Sequence, residues 1–345
     1  MSLPAFSDRD RLLVVAPHPD DETIAAGIAI QSALAAGAAV RVVHATDGDN
    51  NPWPQRWIER RLFIGPAERA RWGRVRRAEA ERAHAALAPD GCRIEARFFG
   101  WPDQGLTEAL MRDDAAVAML AEEIVAFAPS QVLMPALDDD HPDHSALHVI
   151  TELAALRAGI ACARHAYLVH GGGSEAPEAD AERLARKRCA LEAYASQLSL
   201  SRARLDRFAR RAERFEPVAG GLPATAPAGI VRAPLGALAA SPHRHELLLV
   251  LALRGGRVLR LRGHWPRFAR GDRRVRLHDE HGCVHDAEVS GSVVRVEVGE
   301  RVLAAFAKCH RAGPRIVVFD RTRWRAAGGE ASTATATFGI ARGIG

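Results

Sequence analysis

One short apolar run, followed by a cluster of charged residues and a histidine, constrains the fold of this chain more than any other feature. Residues 12–16 read Leu-Leu-Val-Val-Ala, a pattern typical of a strand buried on both faces of a parallel sheet. Pro17 and Pro19 end the run, since neither can donate a ladder hydrogen bond. The run therefore predicts the first strand of an α/β sheet, with polar side chains concentrated at its carboxyl end, where such sheets bind ligands.

The elements after this strand predict the fold class. Residues 23–36 are small and apolar, as in a helix, Gly37 is a helix stop, and residues 40–45 read as a second strand. A strand, a helix and a second strand in succession predict a right-handed crossover in a parallel sheet. We therefore expect an α/β fold with a Rossmann-like, mostly parallel sheet and helices on both faces.

The composition and the hydrophobic pattern of the sequence change near residue 217. Proline, glycine and alanine dominate residues 218–243, which predicts a linker. Short, often alternating apolar runs separated by turn residues follow, and they predict a small β-rich accessory domain over residues 244–345, of unknown role. The first domain is expected to span residues 1–217.

Composition excludes several classes of protein. Lysine and arginine total 47 against 42 acidic residues, and because nearly all the basic residues are arginines, the excess reads as a codon bias. We therefore expect no nucleic-acid partner. The five cysteines contain no C-x-x-C pair and predict neither a disulfide framework nor a cysteine metal site. Without a signal peptide or a transmembrane segment, a cytoplasmic protein is expected, and peripheral membrane contact stays open.

Two charged loops have a spacing that suits a metal ion. His18 and Asp21 are three residues apart, so one turn can point both side chains the same way. A catalytic zinc site needs a third protein ligand and an open position for water. The second loop, residues 138–144, reads Asp-Asp-Asp-His-Pro-Asp-His and follows another apolar run. One of its histidines, His141 or His144, would complete a site of two histidines and one aspartate.

Other residues of the two loops have alternative roles. Asp20 adjoins a predicted ligand but cannot ligate in the same direction, which is where a general base for metal-activated water is expected. Glu22 is expected to cap the following helix or to pair with an arginine, without a catalytic role. A competing ligand pair, His144 and His148, shares one predicted helix face, but it leaves His141 without a role.

Residue types alone leave two other functions open. Metallophosphoesterases also use aspartates and histidines after parallel strands, usually with two metal ions. Four further aspartates are available for such a site: Asp47, Asp49, Asp138 and Asp140. The second possibility is a carbohydrate-binding protein with a vestigial metal loop. Metal stoichiometry separates the phosphoesterase from a one-metal hydrolase.

The two loops resemble the paired signatures of the PIG-L (LmbE-like) zinc-dependent N-deacetylases. Residues 17–22 match the family's small residue or proline followed by His-Pro-Asp-Asp-Glu, and residues 141–144 match its His-Pro-Asp-His. The resemblance covers about residues 10–217. It implies a hydrolase that removes acetyl groups from N-acetylglucosamine units, so the implied partner is a small-molecule, glycolipid or other glycoconjugate substrate with an N-acetyl sugar.

The resemblance also implies roles for individual residues. One Zn²⁺ per chain, or another divalent ion, would be held by His18, Asp21 and His144. Asp20 would be the base, His141 would stabilise the oxyanion, and Asp143 would orient His141 or a ligand histidine. Weaker motif matches imply three sugar-binding residues: Arg76 in Arg-x-x-Glu, Asp103 in Gly-Trp-Pro-Asp and Asp47 in Thr-Asp-Gly.

An arginine-dense segment, residues 53–77, lies outside the paired signatures. It interleaves eight arginines with three tryptophans and a phenylalanine. A solvated helical face with the aromatic rings in the core is the simplest interpretation. A phosphate clamp on the substrate, stacking against sugar rings and single-stranded nucleic-acid binding are alternatives. Because the segment leads into the helix near Arg76, we expect it to form a wall of the substrate cleft.

Overall fold

The computed structural model describes seven stretches of the chain: residues 5–170, 180–209, 212–218, 229–235, 244–265, 271–312 and 322–327. Within these stretches lie eight helices and two β-sheets, one of six strands and one of eight. The last part of the predicted accessory domain, residues 328–345, lies outside the described residues.

The first sheet is mostly parallel. Its strands are β1 (Arg11–Ala16), β2 (Ala39–Thr46), β3 (Ile94–Trp101), β4 (Gln131–Pro135), β5 (Ala163–Tyr167) and β6 (Phe215–Pro217). Their spatial order is β3-β2-β1-β4-β5-β6, and only β6 runs antiparallel to its neighbour. Residues 12–16 are buried, as the apolar run predicts. The chain builds outward from β1 first on one side and then on the other, so the order reverses beside β1, where open α/β sheets bind ligands.

Helices cover both faces of this sheet. They are α1 (Asp21–Ala35), α2 (Pro52–Glu59), α3 (Pro66–Leu87), α4 (Leu106–Arg112), α5 (Ala115–Phe127), α6 (Pro142–Ala158), α7 (Ala181–Glu192) and α8 (Ala195–Ala209). Leu12 and Val14 pack with apolar residues of α1, α3 and α7, whereas Leu13 and Val15 pack with α4, α5 and α6. This alternation follows from the pleat of the strand. None of the described helices combines the length and apolar composition that a membrane span requires.

The second sheet is antiparallel and β-rich, as expected. Its strands are β7 (Ile230–Pro234), β8 (His245–Leu253), β9 (Val258–Trp265), β10 (Arg273–His278), β11 (Val284–Ser290), β12 (Val293–Glu297), β13 (Val302–Arg311) and β14 (Arg325–Ala326). The spatial order is β14-β13-β8-β9-β10-β11-β12-β7. Alternate side chains of these strands form a core of their own.

Strand β7 lies inside the segment for which the sequence predicted a linker. Ile230–Pro234 pairs with β12, and its alternate residues Val231 and Ala233 are buried in the core of the second sheet. Five residues are too few to show a clear period among neighbouring prolines and alanines, so the linker prediction is wrong for this strand. The domain boundaries at residues 217 and 244 stay a prediction.

The two sheets share a hydrophobic core. Val250 and Phe306 of the second sheet, and Trp324 just before β14, belong to the same buried cluster as Leu147 and Ile150 of α6. Buried polar groups also cross this interface, notably the Arg260 guanidinium, which donates to the carbonyl of Leu110 and to Asp114. The second sheet therefore packs against α6, the helix that follows the second charged loop, and contacts α4 through Arg260.

Candidate metal centre

The two charged loops meet because their strands are neighbours. β1 and β4 pair in parallel register, Leu12 opposite Gln131 and Val14 opposite Leu133. The carboxyl ends of neighbouring parallel strands lie at the same edge of a sheet, so the loop after β1 and the loop after β4 lie side by side. Each loop leads directly into a helix, α1 or α6, whose amino-terminal end faces this edge.

One carboxylate oxygen of Asp21 contacts both of the predicted histidine ligands. Asp21 Oδ2 lies 3.1 Å from His18 Nδ1 and 3.3 Å from His144 Nε2. A tetrahedral zinc site with bonds of about 2.0–2.1 Å has edges of roughly 3.3 Å between its ligands, so each of these two distances is close to one such edge. Among the described residues, the groups whose ligand atoms all lie within 4.8 Å of one another include His18 with His141 and His144, but none of these groups contains Asp21. The metal-ligand set of His18, Asp21 and His144 therefore stays a prediction.

The chemistry of the donor set fits a divalent cation. Both ring nitrogens of His144 and Nε2 of His18 are buried without a hydrogen-bond partner. His18 Nε2 lies 3.2 Å from Asp103 Oδ1 without hydrogen-bond geometry, so it belongs to the group with Asp103 and Asp143, whereas Nδ1 is the ring atom that faces Asp21. Buried imidazole nitrogens without partners are costly unless another group occupies the position. Imidazole nitrogen and carboxylate oxygen are the donors that zinc prefers.

The electrostatics of the pocket also favour a positive charge. Burial alone would lower the pKa of His144, but Asp139 and Asp21 raise it to about 10. Burial likewise opposes protonation of His18, yet Asp103, Asp143 and Asp21 raise the pKa of its ring well above the usual range. Burial would raise the pKa of Asp21, and the two histidines instead lower it. The carboxylates therefore create a negative potential that protons or a metal cation can neutralise.

The predicted base, Asp20, is held in a strained conformation. Its φ of 122° lies in a region that residues other than glycine rarely adopt. The Arg76 guanidinium donates to the carbonyl of Pro19 and, at 3.1 Å, to Asp20 Oδ2, while Glu22 Oε2 accepts the Asp20 N–H. Burial raises the pKa of Asp20 to about 7, against the lowering effect of Arg76. Strain of this kind persists where surrounding contacts fix the backbone.

His141 is held as a neutral ring with a defined tautomer. Its Nδ1 accepts the N–H of Asp143 at 3.2 Å, so in the neutral ring the proton resides on Nε2. Burial and the charges on His18 and His144 lower the pKa of His141 to about 2. Proline at the first position of α6 and His141 at its cap fix the ring at the start of this helix. His141 Nε2 is therefore a hydrogen-bond donor.

Asp143 and Asp103 connect this site to the loop after β3. Asp143 accepts the backbone N–H of Gln104 at 2.7 Å and that of Leu106 at 3.2 Å, and its Oδ2 lies 3.5 Å from His18 Nε2. Asp103 accepts the Asn50 N–H at 2.7 Å. The Asp143 carboxylate faces His18, whereas His141 is contacted by the Asp143 backbone N–H, so the orienting role of the Asp143 side chain stays a prediction.

The three residues predicted to bind sugar already have protein partners. Arg76 is buried and donates to Asp20 and to the carbonyls of Pro19 and Gly48. Asp103 contacts His18, and Asp47 forms a two-pronged ion pair with Arg77 at 2.7 Å for each contact. Arg76 and Asp103 therefore lie at the site, whereas Asp47 is engaged beside it. Sugar contacts by these residues stay a prediction.

Sequence reasoning did not single out Asp139, the carboxylate behind a predicted ligand. Asp139 is fully buried, and its Oδ2 lies 3.2 Å from His144 Nδ1 and accepts the N–H groups of Val169 and His170. Its other oxygen lies 3.1 Å from His170 Nδ1. Ligand histidines usually have a carboxylate behind them, which is the signal that could have prompted the search. The run of three aspartates at residues 138–140 left the choice among them open.

Glu22 lies in a second histidine cluster next to the site. Its Oε1 accepts the hydroxyls of Tyr194 and Thr23, and it lies 3.4 Å from His84 Nε2. Its Oε2 lies 3.8 Å from His44 Nδ1. Burial would raise the pKa of Glu22, but His44 and His84 lower it to about 2. The expected arginine partner is replaced by histidines, while the Asp20 N–H gives Glu22 a capping contact.

The competing ligand pair is separated in the structure. His148 is buried, and its Nδ1 lies 2.9 Å from the carbonyl oxygen of Pro135. Among the described residues, His148 belongs to none of the groups of three ligand atoms that lie within 4.8 Å of one another. It packs edge-on towards Phe306 of the second sheet. His148 is therefore a buried core histidine.

A known family model matches the part of the chain that contains both loops. The family model described as PIG-L, GlcNAc-PI de-N-acetylase, matches residues 13–155. This part of the chain is therefore similar to a PIG-L domain. The match runs from β1 into α6, so it includes every residue of the predicted metal site.

Curated relatives of the PIG-L domain are deacetylases. The 1D-myo-inositol 2-acetamido-2-deoxy-alpha-D-glucopyranoside deacetylase of Tsukamurella paurometabola is 33% identical over 169 residues, which cover 42% of this chain and 54% of the relative. The protein of the same name from Mycolicibacterium gilvum is 35% identical over 156 residues, with the same coverage of 42% and 54%. This chain therefore spans about half the length of the curated relatives it matches.

Among solved structures, the N,N'-diacetylchitobiose deacetylase from Pyrococcus horikoshii is similar to this chain. It is 17% identical, covers 61% of this chain and 84% of its own, and has a TM-score of 0.47.

Proposed function

We propose that this chain is a metal-dependent hydrolase that removes the acetyl group from an N-acetylated amino sugar in a glycoconjugate. The observation that carries the proposal is the meeting of Asp21 with His18 and His144, beside Asp20 and His141. The deacetylase relatives of the PIG-L domain support the same reaction. We also propose that the protein is cytoplasmic and that its first sheet is Rossmann-like.

His18, Asp21 and His144 would hold one divalent cation, and zinc suits this combination of nitrogen and oxygen donors. When bound, the ion would polarise the acetyl carbonyl and lower the pKa of a water molecule. Asp139 and Asp143 would fix the ligand rings from behind, as carboxylates do in other histidine metal sites.

Asp20 and His141 would perform the proton transfer and stabilise the charge. Asp20 would accept the proton of the attacking water while Arg76 holds the carboxylate in place, and it would return the proton to the amine as the C–N bond breaks. Acetate and the free amino sugar are the products. His141 would donate from Nε2 to the carbonyl oxygen as negative charge develops there. Removing one such donor typically costs about 10²- to 10³-fold in rate.

Acetate release from a panel of N-acetylglucosamine conjugates tests the proposal. We expect at least one conjugate to be hydrolysed, and Asp20→Asn to lower the rate by about 10²- to 10⁴-fold with unchanged metal content. Asp140→Asn is the matched control, because Asp140 is in the second loop but its side chain is 67% exposed. Its rate should equal that of the unaltered chain. If no conjugate is hydrolysed with zinc supplied, the substrate class is wrong.

A metallophosphoesterase is the second candidate, and the extra carboxylates favour it. His18 with Asp103 and Asp143, and Asp139 with His144 and His170, are further groups whose ligand atoms lie close together. Two ions per chain together with hydrolysis of p-nitrophenyl phosphate would support this function. One ion per chain and no phosphatase activity would support the deacetylase.

A further inference from the structure

Helix α2 and the turn after it carry a concentration of exposed apolar side chains. Of the eleven large apolar residues that are exposed in the described parts of the chain, five fall within residues 53–63. These five residues form what we call the α2 patch: Trp53, Trp57, Ile58, Leu62 and Phe63. Single exposed apolar residues are common on protein surfaces, whereas a group this dense marks an interaction surface. The expectation that these aromatic rings lie in the core is therefore wrong for Trp53, Trp57 and Phe63.

The helix geometry gives the patch a defined face. Trp53 and Trp57 are four residues apart, so they project from the same side of α2, while Pro54 and Gln55 are buried on the other side. Trp57 is 69% exposed. The helix ends where Arg60 adopts a left-handed conformation, with φ of 52°, and the turn then exposes Leu62 and Phe63 at 81% and 88%.

Hydrogen bonds hold the patch firmly against α3. The Gln55 side chain donates to the carbonyl of Glu68 at 2.8 Å, and Arg61 donates to the Glu68 carboxylate at 3.1 Å. Arg71 of α3 donates to both carboxylate oxygens of Glu59, one of them at 3.1 Å. The apolar side chains are therefore presented on an anchored element.

The charge around the patch favours an anionic partner. Residues 52–75 contain six arginines and two glutamates. Arg60 and Arg61 are exposed between the two apolar groups, and the Arg56 guanidinium lies 5.1 Å from the centre of the Trp53 ring. Helices that lie in a membrane interface combine arginine or lysine with Trp, Phe and Leu, and the basic side chains attract anionic headgroups.

We propose that the α2 patch docks this chain onto a lipid surface that carries anionic headgroups. The tryptophan and phenylalanine rings and Leu62 would enter the headgroup region, and the arginines would pair with phosphate groups. A second copy of the chain fits less well, because an isologous contact would bring together two surfaces that both carry an excess of arginine over glutamate. The proposal rests on this surface alone and not on the proposed hydrolase activity.

The position of the patch connects docking to the metal centre. Asn51 caps α2 with its side chain, and the preceding residue, Asn50, donates its N–H to Asp103, the carboxylate that lies 3.2 Å from His18. Docking through α2 would therefore hold this edge of the first sheet next to the lipid headgroups.

Co-sedimentation of the full chain with vesicles tests the proposal. We expect binding to vesicles of phosphatidylcholine mixed with phosphatidylglycerol, and weaker binding to phosphatidylcholine alone. The double variant Trp57→Ser with Phe63→Ser should lower the partition coefficient at least about tenfold. Arg60→Gln, which leaves the Arg61 contact with Glu68 in place, should reduce the preference for the anionic vesicles.

The matched control changes exposed apolar residues elsewhere. Met119→Ser with Val125→Ser alters two side chains of α5 that are 42% and 55% exposed, and it should bind like the unaltered chain. Circular dichroism of each variant verifies the fold, and Arg60→Gln tests the role of charge independently of the apolar pair. Absence of vesicle binding, or equal binding by the patch variant, would overturn it. A dimer in sedimentation velocity that the patch variant abolishes would instead assign the patch to a second copy.

Discussion

Asp21 and Glu22 are neighbours in the sequence, yet each is the centre of a different histidine cluster. We call Asp21, His18 and His144 the open cluster, and Glu22, His44 and His84 the closed cluster. The His18 side chain is 12% exposed, whereas all other side chains of both clusters are between 0% and 5% exposed. Both clusters contain buried imidazole nitrogens without hydrogen-bond partners. Residue types and distances alone therefore do not distinguish a metal centre from a buried charge network.

The two clusters differ in the hydrogen bonds that the central carboxylate, Glu22 or Asp21, already accepts. Glu22 accepts two hydroxyls and the N–H of Asp20, so both of its oxygens are already hydrogen-bonded. Asp21 Oδ2 accepts the backbone N–H of His18, is within hydrogen-bond distance of the His18 ring at 3.1 Å, and lies 3.3 Å from His144 Nε2. A cation competes poorly with hydrogen bonds in a sealed interior, and the His18 side chain is the member of the two clusters with the largest exposure to solvent. We expect the open cluster to bind the metal and the closed cluster to support the backbone of Asp20.

The largest expected effect is on metal content. His144→Ala should abolish binding of zinc, because it removes one of three ligands, whereas His84→Ala should leave it unchanged. Elemental analysis after dialysis against zinc measures the ratio of metal to protein, with circular dichroism as the check on folding. The reverse result, loss of zinc in His84→Ala alone, would make the closed cluster the metal centre.

The second effect is on stability. Glu22→Gln should lower the free energy of unfolding by about 2–4 kcal/mol, because it removes a buried charge from its histidine and tyrosine partners. Urea denaturation after treatment with a chelator measures this without a contribution from bound metal. Glu81→Gln, an exposed residue of α3, is the matched control and should change stability by less than about 0.5 kcal/mol. Unchanged stability together with lost zinc would place Glu22 in the metal centre.

The smallest effect concerns His148, a buried histidine whose charged neighbour is an arginine. Burial lowers its pKa to about 4, with a backbone contact to Pro135 acting against and Arg164 acting with that change. Between the unfolded pKa, about 6.5, and the folded pKa, the unfolded chain binds more protons, so stability falls as the pH falls. The loss from pH 7 to pH 5 should be about 2 kcal/mol.

His148→Leu isolates this contribution, because leucine does not titrate. Urea denaturation at pH 7 and pH 5 should show a smaller decrease in the variant than in the unaltered chain. An equal decrease in both would show that His148 does not set the acid sensitivity of the fold.

Features that depend on neighbouring residues were accessible from the sequence. The apolar run of β1, the prolines that end it and the three-residue spacing of His18 and Asp21 are local patterns, and the structure confirms the buried strand and the contact between these side chains. The arrival of His144 at the same carboxylate was predictable because parallel neighbouring strands end at one edge.

Features that depend on distant partners were not accessible. Glu22 meets His44, His84 and Tyr194, which come from β2, α3 and the turn between α7 and α8, and no spacing connects them. Asp139 could not be chosen from three consecutive aspartates. The exposure of Trp57 and Phe63 depends on how α2 packs.

The sequence by itself determined the mostly parallel sheet, the two charged loops at its carboxyl edge and the match to the PIG-L family, because hydrophobic runs and motif spacing are written along the chain. Only the tertiary structure decided which carboxylates lie behind the histidines, and that the second sheet shares a core with α6. The physical reason is that burial and hydrogen bonding between distant residues are set by the packing of whole elements, which a linear pattern does not record.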